Sequence, residues 1–355
     1  MTRVHVVVPV DDPARPSGGN VYDRRLCDGL RSLGYDVPEH VVPGAWPWPE
    51  PSARRILRDA LASVPDGGIV VIDGLLASTS PDAVVPESAR LRIGVLVHLP
   101  LAETLGLGDP LDARQREEAV LGSAHAVITT SAWTRSRLLA RYALDASRVH
   151  VAAPGADPAP LAPCEGARLL VVGAVTPIKG TDLLVDALTA VADRRWTCDV
   201  AGSLEVDPWF AARVREQVRS AGLCDRLRFR GPLGGDALAE RYAASDLLVS
   251  ASRLETYGMA VTEALARGIP VVATGVGGVR EALGCDGDGA VPGLVVDAED
   301  SSAIARALRS WLDDPVLRSR LRATAAERRM SLTGWDVTAT RVAAVVADPV
   351  VEVAA

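Results

Sequence analysis

The sequence predicts an α/β protein of two domains, each a parallel sheet covered by helices on both faces. Three observations carry this expectation. Short apolar runs of strand length alternate with longer amphipathic segments along the whole chain. At 355 residues the chain is long enough for two domains of ordinary size, each able to bury its own core. Residues 153–166 (APGADPAPLAPCEG) form a Pro, Gly and Ala-rich linker between two strand and helix blocks. The first domain is placed at residues 1–160 and the second at 161–332, followed by a helical pattern at about 333–347 that carries Trp335.

In the first half, strands are expected at residues 4–10, 37–42, 69–73, 93–98, 126–129 and 149–152, of which 37–42 is the weakest. A helix at 21–33 follows the first strand, and another is headed by Ser131 and Thr134, residue types that cap helix starts. In the second half, strands are expected at 169–172, 197–201, 227–230, 246–250, 270–273 and 293–296. A Gly/Pro loop after the first of these leads into a helix beginning near Gly180 or Thr181. The helix after Gly258 is ended by Gly268, and a short helix covers 280–283. The final helical pattern comes late enough to belong elsewhere than the second domain, and the tail from Asp348 is expected to fray.

Composition narrows the function classes. The net charge is −7 and 48% of residues are hydrophobic, with no basic patch that would recommend nucleic acid. The same balance argues against strong non-specific attraction to anionic membrane, while leaving peripheral contact open. Cys27, Cys164, Cys198, Cys224 and Cys285 are odd in number, scattered and without a C-x-x-C pair. They read as reduced thiols of a cytoplasmic protein, not as a disulfide frame or a zinc site. The chain begins as a strand instead of a leader, and no apolar run approaches about 18 residues.

Residues 252–278 (SRLETYGMAVTEALARGIPVVATGVGG) are the most informative stretch. Glu255 precedes an apolar helix and Glu263 lies on its second turn, with Gly258 between them. Glycine lets a backbone approach a ligand closely, and the amides of Tyr257, Gly258 and Met259 open a helix start, which attracts phosphate. The plain alternative is that both acids complement the helix dipole, worth roughly 0.3 to 1 kcal/mol each. Strands on either side make one β-α-β unit whose loop lies at a strand's carboxyl end, where open α/β sheets place ligands.

Lys179 is the single lysine of the chain. It stands in the loop of L-L-V-V-G-A-V-T-P-I-K-G-T-D, where a compact ammonium suits a diphosphate as a point charge.

The spacing Glu255, seven residues, Glu263, with A-R-G-I-P-V-V and Gly277-Gly278 after it, resembles the donor-site signature of the retaining family 4 glycosyltransferases. The resemblance extends over nearly the whole chain. It implies the GT-B fold, two Rossmann-like domains facing each other across a cleft, with the last helix crossing back onto the first domain. It implies that Lys179 and the amides near Gly258 and Met259 hold the departing diphosphate, and that Glu263 accepts bonds from the ribose diol. Glu255 is implied to bind donor-sugar hydroxyls, with Gly173, Tyr257 and Ala260 in the same donor site. The family commonly has V-G-R before its K-G, and Ala174 stands where that arginine is usual. Arg253 and Arg280 are two candidates for the missing charge, and the sequence does not choose between them.

In the first domain, Ser17-Gly18-Gly19-Asn20 reads as a plain turn or, by resemblance, as the glycine-rich loop facing the donor phosphates through Gly19. Asn20, Tyr22, Arg24 and Arg25 at the following helix start are acceptor-side candidates, as is Glu103. His98 ends an apolar strand and resembles the family's histidine beside the transferred sugar, so Glu255, Lys179 and His98 are the expected catalytic set. Trp46 and Trp48, in W-P-W-P, either offer a flat surface to an acceptor or pack internally.

The resemblance implies a retaining transfer from a nucleotide-diphosphate sugar to a small-molecule, glycan or lipid-linked acceptor, with no metal and no further cofactor. Such a transfer depends on placed positive charge and amide donors. Asp286-Gly287-Asp288 sits in a Gly-rich turn and reads as that, not as a metal motif. Three alternatives stay open. One is a non-catalytic nucleotide-sugar-binding subunit, and another a phosphorylase or sugar-phosphate synthase of the same fold. The third is an NAD-dependent oxidoreductase, against which stands the absence of G-x-G-x-x-G after the first strand.

Overall fold

The computed structural model describes residues 2–103 and 110–347, so the tail from Asp348 lies outside the described residues. The chain divides into two compact units, with the main break at Gly155/Ala156 and the last helix, from Trp335, grouped with the first.

The first unit holds β1 (Val4–Pro9), β2 (Glu39–Val42), β3 (Ile69–Asp73), β4 (Arg92–Val97), β5 (Ala126–Thr129) and β6 (Val149–Val151) in one sheet of order β2-β1-β3-β4-β5-β6. All its ladders are parallel, with Val4 opposite Ile69, Ile69 opposite Arg92 and Gly94 opposite Ala126. Successive side chains of a strand point to opposite faces. Val4, Val6, Ile69 and Val71 therefore pack on one face, and Val7, Val70 and Ile72 on the other. Strand β2 is an edge with Val41 half exposed and Val42 fully buried, which is why its apolar pattern is weak.

The last helix, Trp335–Ala347, completes the first of these faces with Ala339, Val342, Ala343 and Val346. Its fit is close: a Cβ at Gly29 would lie 2.5 Å from that of Ala339. Thr338 Oγ1 also donates to the Ala153 carbonyl at 2.7 Å.

The second unit holds β7 (Arg168–Val172), β8 (Thr197–Ala201), β9 (Leu227–Gly231), β10 (Leu247–Ser250), β11 (Val271–Thr274) and β12 (Gly293–Val296), ordered β12-β11-β10-β7-β8-β9 and again parallel. Leu169, Leu247 and Val249 face a core built around Trp196 and Trp311, while Leu170 and Leu248 face another with Tyr242 and Leu265. The strand order reverses between β1 and β3 in one sheet and between β7 and β10 in the other. Loops leaving the carboxyl ends at such a reversal diverge to opposite faces and leave a crevice for ligands.

Asp246, just before β10, is fully buried and fastens the linker to the second sheet. Its carboxylate accepts from the amides of Glu165 (3.0 Å), Ala167 (2.9 Å) and Arg168 (2.8 Å), and from Arg168 Nη2 at 2.8 Å. Burial works to raise its pKa, but the Arg168 hydrogen bond and the amides outweigh that and hold the group below the ordinary aspartate value of 3.8. Among the described residues no helix is long and apolar enough to cross a membrane.

Removing a buried partner leaves the others unsatisfied, so Asp246→Ala should lose on the order of 3 kcal/mol of stability. Because the folded value is depressed, the wild-type contribution is present above the unfolded value of 3.8 and is lost as pH falls from there through the lower folded value. Urea midpoints at pH 7 and across the acid range test this, and an unchanged midpoint for Asp246→Ala would remove the linker anchor from the account.

Candidate functional site

In the second unit, Lys179 and Glu255 leave the sheet at the β7/β10 reversal. After β7 the chain makes a loop, a single turn at Pro177–Lys179, and then the helix Thr181–Ala190, with Gly180 between at φ 62°. A Cβ at Gly180 would sit 2.0 Å from the Ala251 carbonyl oxygen, so glycine is what lets the lysine turn lie against the loop after β10. Gly173 gives room to the lysine stem, since a Cβ there would meet Lys179 Cδ and Cε at 3.3 Å. Lys179 Nζ then donates to Glu255 Oε2 at 2.5 Å. The two residues that sequence reasoning assigned to one site are an ion pair.

Arg253 locks this geometry. Its amide donates to the Ile178 carbonyl at 2.7 Å, and its guanidinium forks onto Asp182 at 2.8 and 2.9 Å. It also donates to the Pro177 carbonyl (2.7 Å) and to Glu299 (2.8 Å). A guanidinium with these partners is a fastener between loops. Arg280 is exposed, has no ion-pair partner among the described residues, and folds its Nη2 to 3.1 Å from where a Gly275 Cβ would stand, past the end of β11.

Glu255 is held from the other side by Gly277-Gly278. The Gly278 amide donates to the Glu255 carbonyl at 2.9 Å, and a Cβ on Gly277, whose φ is 56°, would fall 1.7 Å from that oxygen. The expected helix is Met259–Leu265, with buried Gly258 before it and half-buried Tyr257, Met259, Ala260 and Glu263 around its start. The Gly268 amide closes on Leu265 at 2.9 Å, ending the helix as expected.

Glu263 Oε2 accepts from Tyr242 Oη at 2.7 Å. Burial, then the nearby Glu263 charge, push the Tyr242 hydroxyl well above its ordinary range, so it stays a donor. Arg267 lies 4.8 Å over the Tyr242 ring. Tyr242 went unnoticed in the sequence, where a lone tyrosine in a helical pattern carries no signal.

In the first unit, His98 follows the last residue of β4. Its Nε2 donates to Asp23 Oδ1 at 2.8 Å and lies 3.7 Å from Asp73 Oδ2. Asp23 comes from the helix Gly18–Ser32, and Asp73 ends β3 and caps the helix Gly74–Thr79 by accepting from the Leu75 and Leu76 amides at 2.6 and 3.3 Å. Burial and the neighbouring Asp23 push Asp73 up to about 6. Burial pulls the His98 imidazole down, but the charge and hydrogen bond of Asp23, with the charge of Asp73, outweigh it and raise the group above 6.5.

Sequence reasoning missed both aspartates, although each left a trace. Asp23 is one helical turn from Gly19, and Asp73 is the acid that ends the apolar run I-V-V-I-D. Among the described residues they and His98 are the one group whose donor atoms, all within 4.8 Å of one another, have the composition of a cation site. The 2.8 Å contact is a hydrogen-bond distance.

The other expected positions fall as follows, two of them differently from the expectation. The Gly18-Gly19-Asn20 stretch is not a loop but the first turn of its helix, and a Cβ on Gly19 would meet the His98 ring at 3.1 Å. Tyr22 does not reach an acceptor: it is fully buried, donates to the Ala152 carbonyl at 2.8 Å and packs edge-on to His98 and Trp335. Glu103 is held by Arg137 and Arg141 at 2.7 and 2.9 Å. Asn20 is half-buried and Arg24 exposed. Trp46 packs against the core while Trp48 is exposed, so only the second ring offers a surface. Ser131 caps its helix through the Thr134 amide, and Asp286 closes its turn by accepting from the Asp288 and Ala290 amides.

Residues 158–328 match the family model of the glycosyl transferases, group 1. The chain is 31% identical to D-inositol 3-phosphate glycosyltransferase 1 of Catenulispora acidiphila over 90% of its own length and 81% of that protein's. It is 33% identical to a D-inositol 3-phosphate glycosyltransferase of Kineococcus radiotolerans over 63% of its length, and there spans 57% of the relative, little more than half. The fold is that of a sucrose-phosphate synthase from Thermosynechococcus elongatus (TM-score 0.81, 20% identity, 96% and 97% of the two chains covered). Anabaena HepE, solved with UDP and glucose, shares it too (TM-score 0.77, 15% identity, 98% and 100% covered).

Because Lys179 is the single lysine, its acetylation rate, followed by mass spectrometry, reports directly on the ion pair. Glu255→Gln and Gly277→Ala should each speed that acetylation several-fold, the first by removing the partner's charge and the second by displacing its loop. Rates equal to wild type in both would mean that the pair does not hold in solution.

Proposed function

We propose that this chain, which belongs to the group 1 glycosyl transferases, moves a sugar from a nucleotide-diphosphate sugar to an acceptor hydroxyl, with retention of configuration and without a metal ion. The observation that carries the reading is the Lys179 to Glu255 ion pair at the β7/β10 reversal of the second unit. An ammonium and a carboxylate that satisfy each other are matched to a ligand bringing both an anion and hydroxyl groups. On binding, Lys179 exchanges the carboxylate for a diphosphate oxygen, and Glu255 accepts from sugar hydroxyls. Gly173, beneath the lysine stem, allows that movement.

Glu263 takes the ribose diol, with Tyr242 orienting its carboxylate through Oε2. The backbone of Tyr257, Gly258, Met259 and Ala260 lies against the diphosphate. Arg280 is the residue assigned the second charge, since Arg253 is occupied by Asp182 and Glu299. The bond from the sugar's anomeric carbon to the diphosphate oxygen breaks while the acceptor oxygen bonds to that carbon on the same face. The acceptor proton passes to the departing phosphate oxygen, so no protein base is required. In the first unit, His98 contacts the transferred sugar beside Gly19, and Asn20 and Arg24 serve the acceptor.

The donor panel starts from UDP-glucose because HepE was solved with it. The acceptor panel starts from D-inositol 3-phosphate because relatives carry that name. Ala174 favours one competing reading, a subunit that binds the donor without transferring it. Slow donor hydrolysis in the absence of acceptor counts against that reading.

A thermal-shift panel of uridine, guanosine, adenosine and thymidine diphosphates and their sugars tests the donor assignment. The cognate ligand at 100 times its Kd should add about 2.7 kcal/mol of stability. With that donor, Lys179→Ala and Glu255→Ala should each lower transfer at least about tenfold, equivalent to about 1.4 kcal/mol of barrier. Wild-type turnover in both variants would show the site to be elsewhere.

A further inference from the structure

One ring nitrogen of His98 faces two carboxylates that have almost no access to water: Asp23 is 4% exposed and Asp73 is 6% exposed. The remaining atoms of the cluster are accounted for. Asp73 Oδ1 is taken by the Leu75 and Leu76 amides, which turns its Oδ2 toward His98. Asp23 Oδ2 is buried and has no hydrogen-bond partner among the described residues, so the carboxylate depends on its other oxygen, the one that meets Nε2. An ionised carboxylate only accepts, so Nε2 carries the proton. A half-turn of the ring would aim a carbon at Asp23 and leave a buried carboxylate with no partner at all, at a cost of about 1–3 kcal/mol or more. Gly19 against one ring edge and Tyr22 at 5.1 Å centroid distance complete the seat.

We propose that Asp23 and Asp73 are positioning residues that pin a proton on Nε2 of His98 and leave Nδ1 as the single nitrogen offered to a ligand hydroxyl. Asp23 does this by a hydrogen bond, Asp73 by its charge across 3.7 Å. The identity of that hydroxyl, on the transferred sugar, rests on the function proposed above, while the state of the imidazole does not. Nδ1 accepts from the hydroxyl when the ring is neutral and donates to it when the ring is charged. The two carboxylates move that change of role to a higher pH than an ordinary histidine shows. Tyr22, the other titratable group against the ring, stays neutral because burial pushes its hydroxyl far up.

The test is imidazole nitrogen-15 NMR on the unliganded full chain, with His98 picked out from the five histidines by its loss in His98→Asn. In the wild type, the neutral ring should be the Nε2–H tautomer and its midpoint should lie above 6.5. Asp23→Asn, whose amide can donate, should shift the proton toward Nδ1 and lower the midpoint. Asp73→Asn should lower the midpoint while keeping the tautomer, and it decides the matter if Asp23→Asn does not fold.

A wild-type ring that is Nδ1–H or evenly mixed, or a midpoint indifferent to both variants, overturns the proposal. So does stoichiometric loss of the Nε2–H signal on adding Zn²⁺, which would make the cluster a metal centre. If the NMR results hold and no nucleotide sugar binds, the transferase reading fails and the positioning role stands.

Discussion

Two loops that leave neighbouring strands in opposite directions are held together by Arg253, and the candidate donor site rests on that fastening. Its fork onto Asp182 reaches the first turn of the helix behind Lys179, and its own amide grips the lysine turn at Ile178. A bidentate arginine to carboxylate contact restrains orientation as well as distance. Glycines at 180 and 277 then bring backbone against backbone, so the lysine and the glutamate meet without either helix having to bend. The ion pair reports on this scaffold and contributes little to holding it, because Lys179 is about a third exposed.

The two units solve a similar problem with different chemistry. In the second, the reversal of strand order is furnished with a lysine from one loop and a glutamate from the other. In the first, Asp73 ends β3 while the helix after β1 supplies Asp23, so the reversal between β1 and β3 is furnished with acids that grip the histidine just after β4. A parallel sheet delivers its strand ends to one edge, and what happens there is decided by the residue that follows the last apolar one.

The strands were legible because parallel sheets bury both faces, and that demand writes itself as an apolar run. All twelve expected strands are present, and the edge strand β2 was the weakest because only Val42 of its pair is covered. Glu255, Glu263 and Lys179 stood out because their motifs resemble a known signature, and of these the structure pairs Lys179 with Glu255. What sequence did not disclose was pairing at long range. Tyr242 to Glu263, Asp23 to His98 and Asp246 to the linker amides join residues 21, 75 and about 80 positions apart, where no local pattern records the partner. The helix at 18 was expected three residues late because two glycines read as a turn. Both are helical, and Gly19 is a glycine because the space a side chain would need there is filled by the His98 ring.

The last helix supplies a share of the hydrophobic face over β1 and β3, with Ala339, Val342 and Val346 joining Tyr22, Leu26 and Leu30 of the helix Gly18–Ser32. During synthesis this reverses the usual order of completion. The second unit has all its strands and helices once residue 334 is made, whereas the first, begun earliest, must wait on the ribosome with one face of its sheet only partly covered until its own final piece emerges.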